Sequence, residues 1–356
     1  MRTRPALTRP TLLAAAVGAL LAIGGCSAEA PQVPAPVTQT ADITTDKVAP
    51  PPPQVPVTWP LTGVETAEVA ARPALAVKIE NPVSVRPQTG LDAADIVWEQ
   101  VVEGGVTRFV VVFHSTLPDE VGPIRSVRPM DPAIAAPLHG VIAFSGGQPR
   151  FVSALADAGL QVVSHDAGDD GFWRRSGIGA PHNVFGRPTT FLDQADPDHT
   201  AAPPPQFAYA LRPDLATVAT TGAPTTSVAV TMSSYSRPGW TWDPATAAWL
   251  RTEKGTPATA ASGARLAAAN VVVLRVDLVD SGTRDPSGAV VPETLLEGTG
   301  EALVATGGRT LAATWNKGSV TEPLRLTTAD GEEVRLAPGV TWVELVPNGS
   351  GAVSVG

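Results

Sequence analysis

The chain has 356 residues, with 34 acidic and 25 basic side chains and a net charge of −9 at neutral pH. This acidic balance argues against a nucleic acid as the main partner, because proteins that bind polyanions normally carry an excess of lysine and arginine. The length is sufficient for two domains. The sequence contains one cysteine, so an internal disulfide is excluded and folding must depend on a hydrophobic core.

Residues 1–25 are typical of a secretory signal peptide. Three arginines and no acidic residue precede an apolar run at positions 12–23, which is shorter than the ~20 residues of a stable membrane span. The run ends in Ile23-Gly24-Gly25-Cys26, which resembles a lipobox. We therefore predict acylation of Cys26, for example by palmitate, and anchoring to the outer face of the cytoplasmic membrane. An ordinary cleaved signal followed by a chance cysteine is the alternative.

Composition divides the rest of the chain into four segments. Residues 26–58 are rich in proline and predict an extended tether. Residues 59–200 predict a mixed α/β domain with a pocket, and residues 201–224, rich in alanine, proline and threonine, predict a linker. Residues 225–356 predict a mostly β domain with short strands and turns. The predicted fold class is α+β.

The first half begins with predicted strands. Residues 75–80 alternate between apolar and polar side chains, the pattern of a half-buried strand. Residues 95–102 and 107–114 are rich in branched and aromatic side chains, and the Gly104-Gly105 pair between them predicts a hairpin.

A βαβ-like unit is predicted further along the first half. The apolar segment 141–144 predicts a strand, the spacing at 150–158 predicts a helix, and 160–163 predicts a second strand. Residues 166–188 predict a long ordered loop of the kind that usually serves a site. In the second half, Asp330-Gly331 predicts a hairpin turn.

Several motifs occur in order along the chain and resemble those of the YerB-like lipoproteins, a two-part family of unknown function. The resemblance spans nearly the whole chain after the signal peptide and implies a shared two-domain architecture. It implies no activity and no catalytic residue. The motifs are RPALAVKIEN at 72–81, RPQTGL at 86–91, ADIVWE at 94–99, VEGGVTR at 102–108, GPIRSVR at 122–128, SGG at 145–147, APHN at 180–183, WLR at 249–251, ANV at 269–271, TWNK at 314–317 and PGVTW at 338–342.

Two carboxylates and one histidine are the catalytic candidates. Glu99 and Glu103 can frame a cleft as acid and base, although a structural ion pair between Glu103 and Arg108 is an equally simple explanation. His182 lies in a glycine-flanked loop and can act as a general base if a nucleophile and an orienting acid lie beside it. The alternative is a loop histidine that only makes hydrogen bonds. Candidate orienting acids are Asp166, Asp169 and Asp170, and candidate nucleophiles are Ser126, Ser145 and Ser176.

Arginines and a glycine turn predict a pocket for an anionic group. The planar guanidinium suits carboxylates and phosphates, and the first amides of a helix after a glycine turn can bind an anion. Arginines that pair only with nearby acids, and glycines that only make the turn, are the alternative. The predicted ligand-binding residues are Arg108, Arg125, Ser126, Arg128, Ser145, Gly146, Gly147, Arg174 and Asn183.

No metal or cofactor is predicted, since the sequence has no histidine or cysteine cluster with metal-ligand spacing. Five of the eight tryptophans lie in the second half, where they either pack a β core or form a stacking platform for carbohydrate.

The sequence supports three functional hypotheses. The first is a membrane-anchored extracytoplasmic lipoprotein that binds an anionic cell-envelope ligand or a partner protein. The second is a wall-directed hydrolase or transferase that uses Glu99, Glu103 or His182, so whether the chain is an enzyme stays open. The third is a scaffold without a pocket.

Overall fold

A computed structural model describes residues 55–356. The predicted signal peptide, Cys26 and most of the tether therefore lie outside the described residues. Within residues 55–356 the four α-helices are short, and strands are the main secondary structure. The helices are α1 (Asp131–Ala135), α2 (Pro149–Asp157), α3 (Pro188–Leu192) and α4 (Thr217–Thr221). The strands are β1 (Leu75–Glu80), β2 (Ile96–Val101), β3 (Thr107–Phe113), β4 (Val141–Phe144), β5 (Gln161–Ser164), β6 (Phe172–Arg174), β7 (Val184–Gly186), β8 (Ala223–Pro224), β9 (Ser227–Thr231), β10 (Pro238–Asp243), β11 (Ala248–Glu253), β12 (Thr256–Pro257), β13 (Ala267–Ala268), β14 (Asn270–Arg284), β15 (Val290–Leu295), β16 (Gly298–Thr306), β17 (Arg309–Lys317), β18 (Arg325–Thr327), β19 (Thr341–Pro347) and β20 (Ala352–Val355).

One large sheet contains strands from both halves of the chain. Its order is β18-β17-β16-β14-β19-β2-β3-β1-β4-β5, with β15 paired to β14 and β8 paired to β17. Strand β19 runs parallel to β14 on one side and to β2 on the other, where Thr341 is opposite Ile96 and Glu344 is opposite Glu99. The N-terminal and C-terminal halves are therefore joined within one layer.

The central strands are buried on both faces. The alternation in β1 predicts a half-buried strand, but Lys78 and Glu80 are buried along with their apolar neighbours. One face packs against α1 and α2, and the other packs against a smaller sheet of order β12-β11-β10-β9-β20, with β13 paired to β11. The polar positions of β1 must therefore be satisfied by partners inside the protein.

The tryptophans of the second half mainly fill the core. Trp240, Trp249 and Trp342 are 0–1% exposed and pack between the two sheets, and Trp315 is 3% exposed on the other face. Ring pairs such as Trp240 with Trp342, 5.3 Å between centroids, fix this packing. Burial at these four positions leaves no stacking platform for carbohydrate there.

Several local expectations agree with the structure and others need correction. Strands β2 and β3 form the expected hairpin, and β4, α2 and β5 form a parallel βαβ unit. The segment 166–188 was expected to be a loop, yet it contains the small hairpin of β6 and β7. At Asp330-Gly331 the turn forms, but only β18 precedes it as a strand, and 333–336 makes an isolated bridge to Thr327.

The segment predicted as a linker, 201–224, is ordered. It contains α4 and β8, and its side chains Phe207, Ala216 and Val218 are buried. Within residues 55–356, no helix is both long and apolar enough to cross a bilayer. The same residues contain no cluster of three or more side chains suited to hold a metal ion.

Candidate functional site

The end of β1 carries a buried carboxylate, Glu80, which contacts one arginine and one histidine. Glu80 is 2% exposed. Its Oε2 lies 3.2 Å from Nε of Arg125 and 2.9 Å from Nδ1 of His182. The register of β1 and β3 also places Glu80 opposite Arg108. Glu80 was not among the predicted site residues, although it lies in the strand motif that precedes Asn81.

His182 therefore has an orienting acid, but a different one from those predicted. Its ring nitrogen Nδ1 contacts both oxygens of Glu80, whereas Asp166, Asp169 and Asp170 make other contacts. Its side chain is 40% exposed, and within residues 55–356 its Nε2 makes no hydrogen bond. None of the candidate serines contacts it in the described hydrogen bonds, so the structure supplies a histidine–acid pair without a nucleophilic hydroxyl.

Arg108 and Arg128 converge on one turn. Nη1 of Arg108 donates to the carbonyl of Ser126 at 2.8 Å, and Nη1 of Arg128 lies 3.4 Å from the same oxygen. Arg128 also donates from Nη2 to Glu103 Oε2 at 2.8 Å, while its Nε lies 2.5 Å from Oε1 without the alignment of a hydrogen bond. The predicted pair of Glu103 with Arg108 is looser, at 3.8 Å. Glu103 is thus occupied as a counter-ion.

Cations and carboxylates are balanced around these arginines. Buried Lys78 pairs with Asp131 at 2.7 Å beneath them. Burial, partly offset by Asp131, lowers the pKa of Lys78 to about 8, with Arg108 and Arg128 adding to the decrease. Burial and then the charge of Arg128 lower the pKa of Arg108 to about 9. Asp131, Glu103 and Glu80 are the buried carboxylates here. Hydrogen bonds from Ser287 and Ala289, and then the nearby charge of Arg128, lower the pKa of a fourth, partly exposed carboxylate, Asp285.

The glycine turn lies beside these residues through its backbone. The amide of Ser145 donates to the carbonyl of Arg125 at 3.1 Å, and the carbonyl of Gly146 accepts from Val127 at 2.9 Å. Gly146 is buried, whereas Gly147 is exposed just before α2 begins at Pro149. The predicted adjacency of the turn to Arg125 and Ser126 is present in the structure.

Arg174 and Asn183 pair with each other. Nη1 of Arg174 donates to Oδ1 of Asn183 at 2.8 Å, and Nδ2 of Asn183 donates to the carbonyl of Ile178. Arg175 lies over the ring of Phe185, 3.6 Å from its centroid, and pairs with Glu120. These contacts shape the loop that carries His182, and Arg174 makes no described contact with the other predicted arginines.

Glu99 lies on the opposite face of the sheet from this cluster. Its Oε2 accepts from Arg251 at 2.6 Å, and its Oε1 accepts from Thr107, Ser236 and Asn81. The interpretation in which Glu99 and Glu103 frame one cleft is therefore wrong: each is paired with a different arginine. Strand direction explains the result, since Glu99 alternates with Gln100 and points toward the small sheet.

Arg251 is the centre of a buried ionic network that the sequence analysis missed. It is 1% exposed and also contacts Glu253 at 2.5 Å and Glu344 at 2.7 Å. Its guanidinium carbon lies 4.4 Å from the ring centroid of Trp342. The available sequence signal was a charge inside an otherwise apolar strand, in AWLRTE of β11 and in TWVELVP of β19.

The network contains two carboxyl groups with opposite pKa shifts. Burial alone would raise the pKa of Glu99, but the charge of Arg251 and several hydrogen bonds hold it below the ordinary value. Burial and the negative charge of Glu99 raise the pKa of Glu344 well above its ordinary value, against the attraction of Arg251. Burial disfavours the charged form of Arg251 and tends to lower its pKa, but the charges of Glu99, Glu253 and Glu344 outweigh this and raise it. The network therefore favours the charged form of Glu99 and the protonated form of Glu344.

Comparison with known proteins gives a family in two parts. The sequence model described as "Protein of unknown function (DUF3048) N-terminal domain" matches residues 61–201. The corresponding C-terminal domain model matches residues 228–343. The two matches leave a gap at 202–227, close to the predicted linker.

One curated relative and one solved structure are similar to this chain. The protein named "Putative lipoprotein YerB" of Bacillus subtilis (strain 168) is 36% identical over 129 residues, which are 35% of this chain and 39% of that protein. The match thus spans about two fifths of the relative's length. The crystal structure of YerB from Bacillus subtilis has a TM-score of 0.70 at 24% identity, covering 84% of this chain and 99% of that chain, and this likeness shows the fold alone.

Proposed function

The chain belongs to the DUF3048 family of proteins of unknown function, and on that premise we propose that it is an extracytoplasmic lipoprotein that binds an anionic cell-envelope component. The anchor is a lipid on Cys26 at the outer face of the cytoplasmic membrane. The signal-like segment 1–25, the lipobox-like Ile23-Gly24-Gly25-Cys26 and the name of the Bacillus relative support this location.

The observation that carries the binding proposal is the convergence of three predicted arginines from separate parts of the sequence. Arg108 comes from β3, whereas Arg125 and Arg128 come from the turn that lies next to it. Arg125 is the accessible member, since 21% of its side chain is exposed, and it retains donors beyond its contact with Glu80. Because only Nε of Arg125 contacts Glu80, an incoming anion can bind the other donors of this guanidinium without displacing that carboxylate.

The chemistry of the cluster fits a carboxylate or a phosphate. A guanidinium group binds either anion in a planar, two-pronged geometry. A wall peptide supplies the first group and an anionic wall polymer supplies the second. A partner protein with an acidic surface segment is a further ligand that satisfies the same charges. The acidic remainder of the chain would keep other polyanions, including nucleic acids, at a distance.

One observation favours the enzymatic alternative of a wall-directed hydrolase or transferase. His182 has its Nδ1 on Glu80 and its Nε2 on the solvent side, the arrangement of a general base held by an acid. Such a base can accept a proton from water. Glu99 and Glu103, both occupied by arginines, are not suited to that role. The enzymatic proposal therefore depends on His182 alone.

The binding proposal is tested by sedimenting purified cell walls with the mature protein. We expect Arg125→Ala to weaken wall binding about tenfold at low ionic strength, because one charge-assisted contact is lost, and the difference should shrink as salt is added. Arg212→Ala, which removes an arginine paired with Asp214 that is 65% exposed, is the matched control and should bind like the parent protein. Walls stripped of anionic polymer distinguish phosphate from peptide carboxylate.

Equal binding by Arg125→Ala and the parent protein would overturn the proposed binding site.

The anchor is tested separately. Cys26→Ser should move the protein from the membrane to the soluble fraction and abolish incorporation of a labelled fatty acid.

For the enzymatic alternative, His182→Gln should abolish release of wall fragments while leaving sedimentation with the walls unchanged. No release by the parent protein would remove that alternative.

A further inference from the structure

A cavity lies next to the Arg251 network, on the face of the sheet opposite the Arg108, Arg125 and Arg128 cluster. Its volume is about 380 Å³, which is within the range of small-molecule sites. Both halves of the chain contribute to its wall: the segment after β1 on one side, and β11 with the following segment on the other. The lining residues are Asn81, Val83, Arg86, Pro87, Gln88, Phe109, Arg251, Glu253, Lys254, Thr256, Pro257, Ala258, Thr259 and Leu266.

The cavity contains an unused buried hydrogen-bond acceptor. Glu253 is 9% exposed, and its Oε1 lies 2.5 Å from Arg251. Its Oε2 is buried and accepts no hydrogen bond within the described residues. Nη1 of Arg86 lies 3.3 Å from Oε2, close enough for charge attraction but outside hydrogen-bond alignment. A buried carboxylate oxygen without a donor is costly, so a donor on a ligand would stabilise this site.

Two cations stand near that acceptor. Arg86 is held rigidly, since its Nε and Nη2 donate to Oδ1 and the carbonyl of Asn81 at 2.9 and 2.8 Å. Lys254 is exposed and makes no ion pair within the described residues. Arg251 already contacts Glu99, Glu253 and Glu344, and Arg86 pairs with Glu253, so Lys254 is the cation of the cavity wall that has no carboxylate partner within the described residues. A ligand carboxylate at the cavity can therefore pair with Lys254.

The rest of the wall is largely apolar. Phe109 and Leu266 are buried at the cavity, and Pro87, Pro257 and Ala258 line it nearer the surface. An aliphatic body can desolvate against these groups. A sugar would be expected to stack on an exposed aromatic face, whereas the one aromatic lining residue, Phe109, is 1% exposed and packed edge-on against Trp342.

We propose that this cavity binds a short peptide that carries both a free ammonium group and a free carboxylate. Oε2 of Glu253 accepts from the ammonium group, Arg86 and Lys254 bind the carboxylate, and the apolar wall contacts the aliphatic side chains. A simple anion would leave Oε2 of Glu253 without a donor, and a simple amine would leave Lys254 without a partner. A ligand with both charges satisfies both groups at once.

The test uses the mature protein and a pool of random tripeptides with free termini, with bound peptides detected by native mass spectrometry. We expect a subset to bind, and the same subset to lose binding at least tenfold after N-acetylation or after C-terminal amidation. In Glu253→Gln, N-acetylation should no longer weaken peptide binding, because the charge that binds the peptide ammonium group is absent. In Lys254→Gln, amidation should weaken peptide binding less than in the parent protein, because one charge that binds the peptide carboxylate is absent.

A cavity-blocking variant guards against misfolding of Glu253→Gln. Val83 lines the cavity and is 69% exposed, so Val83→Trp should obstruct the cavity without disturbing the ionic network. Val64→Trp, at another exposed valine, is the matched control. Both should melt like the parent protein, and only Val83→Trp should lose peptide binding.

Absence of binding across the pool would overturn the proposal, as would binding that survives Val83→Trp or that ignores both terminal modifications. Binding of acetylated peptides only would identify a site for simple anions and would also overturn it. Because Arg125 does not line this cavity, Arg125→Ala should leave tripeptide binding unchanged, so the two proposals fail independently.

Discussion

Arg251 contacts three carboxyl groups, and two of them have opposite pKa shifts. Burial and the charge of Glu99 raise the pKa of Glu344 and favour its neutral form, while the charge of Arg251 helps to hold the pKa of Glu99 below its ordinary value. Glu344 still accepts hydrogen bonds at Oε1 from Arg251 at 2.7 Å and from Trp240 at 3.0 Å. A glutamine can reproduce this state at position 344 but not at position 99.

We therefore expect Glu344→Gln to change the free energy of unfolding by less than about 1 kcal/mol, because the amide oxygen keeps both hydrogen bonds. Glu99→Gln should cost about 2–4 kcal/mol, since a buried guanidinium loses a charged partner. The double variant should lose more stability than the sum of the losses in the two single variants.

In Glu99→Gln alone, Glu344 can ionise and replace the missing negative charge, and the second substitution removes that compensation. Urea unfolding of the four proteins measures this, and equal losses at the two positions would contradict the assignment.

The same pair predicts a difference in pH dependence. The ordinary pKa of a glutamate is 4.5, and the folded protein holds the proton of Glu344 more tightly than the unfolded chain does. Its stabilising contribution is therefore complete below pH 4.5 and is lost as the pH rises through the raised value. Glu344→Gln lacks this loss, so its stability relative to the parent protein should increase from acid toward alkaline pH. A flat or falling difference in chemical unfolding across that range would show that Glu344 is not protonated in the folded state.

At the scale of elements, the approach of β4 to β1 depends on a glycine before the strand. The amide of Val141 donates to the carbonyl of Ala74 at 3.0 Å. A Cβ at Gly140 would lie 2.3 Å from that same backbone oxygen. The two strands can hold their register only if position 140 has no side chain.

Gly140→Ala should destabilise the protein by about 1–3 kcal/mol, because backbone atoms cannot move aside as a flexible side chain can. Gly179→Ala is the control, since nothing lies within 4 Å of the position that its methyl group would take and its backbone is not left-handed. Thermal unfolding compares the two. Equal melting temperatures would mean that β1 and β4 can separate without loss of stability.

Local patterns predict the individual strands and helices of this protein well, but they predict poorly which strands lie next to each other in the sheet. The hairpin of β2 and β3 and the unit of β4, α2 and β5 follow from residue periodicity and glycine turns, which are local in sequence. The insertion of β19 beside β2 is a contact between residues about 245 positions apart, which no local pattern encodes. The alternation in β1 likewise could not reveal that both of its faces are covered.

In the candidate site, contacts between residues that are distant in sequence are also hard to predict from local patterns. The meeting of Arg108 with Arg125 and Arg128 is predicted from residue type and from the Gly122-Pro123 turn, since guanidinium groups held by a turn suit an anion pocket. The pairing of His182 with Glu80 spans 102 positions, whereas the predicted acids Asp166, Asp169 and Asp170 belong to the same loop segment as His182. Glu344 was missed because a lone carboxylate in an apolar strand has no local partner to mark it.

For the whole molecule, the shared sheet implies that the two family domains depend on each other. Strand β2 is buried along its whole length, and removal of the second half would expose its edge against β19 and leave Glu99 without Arg251. A fragment of residues 55–201 should therefore lack a fixed tertiary structure, while residues 55–356 should unfold in one calorimetric transition. A fragment with a dispersed amide spectrum, or two separate transitions in the longer protein, would contradict this dependence.

Strand β19 has one more consequence, for the order in which the protein acquires its structure. It lies between β2 and β14 in the large sheet, yet it follows both of them in sequence. A chain that emerges from its N-terminus therefore delivers β2 and β14 before the strand that separates them. The hydrogen-bonding edges of β2 and β14 stay uncovered until β19 emerges, so a helper that shields nascent strands would have its greatest effect in that interval.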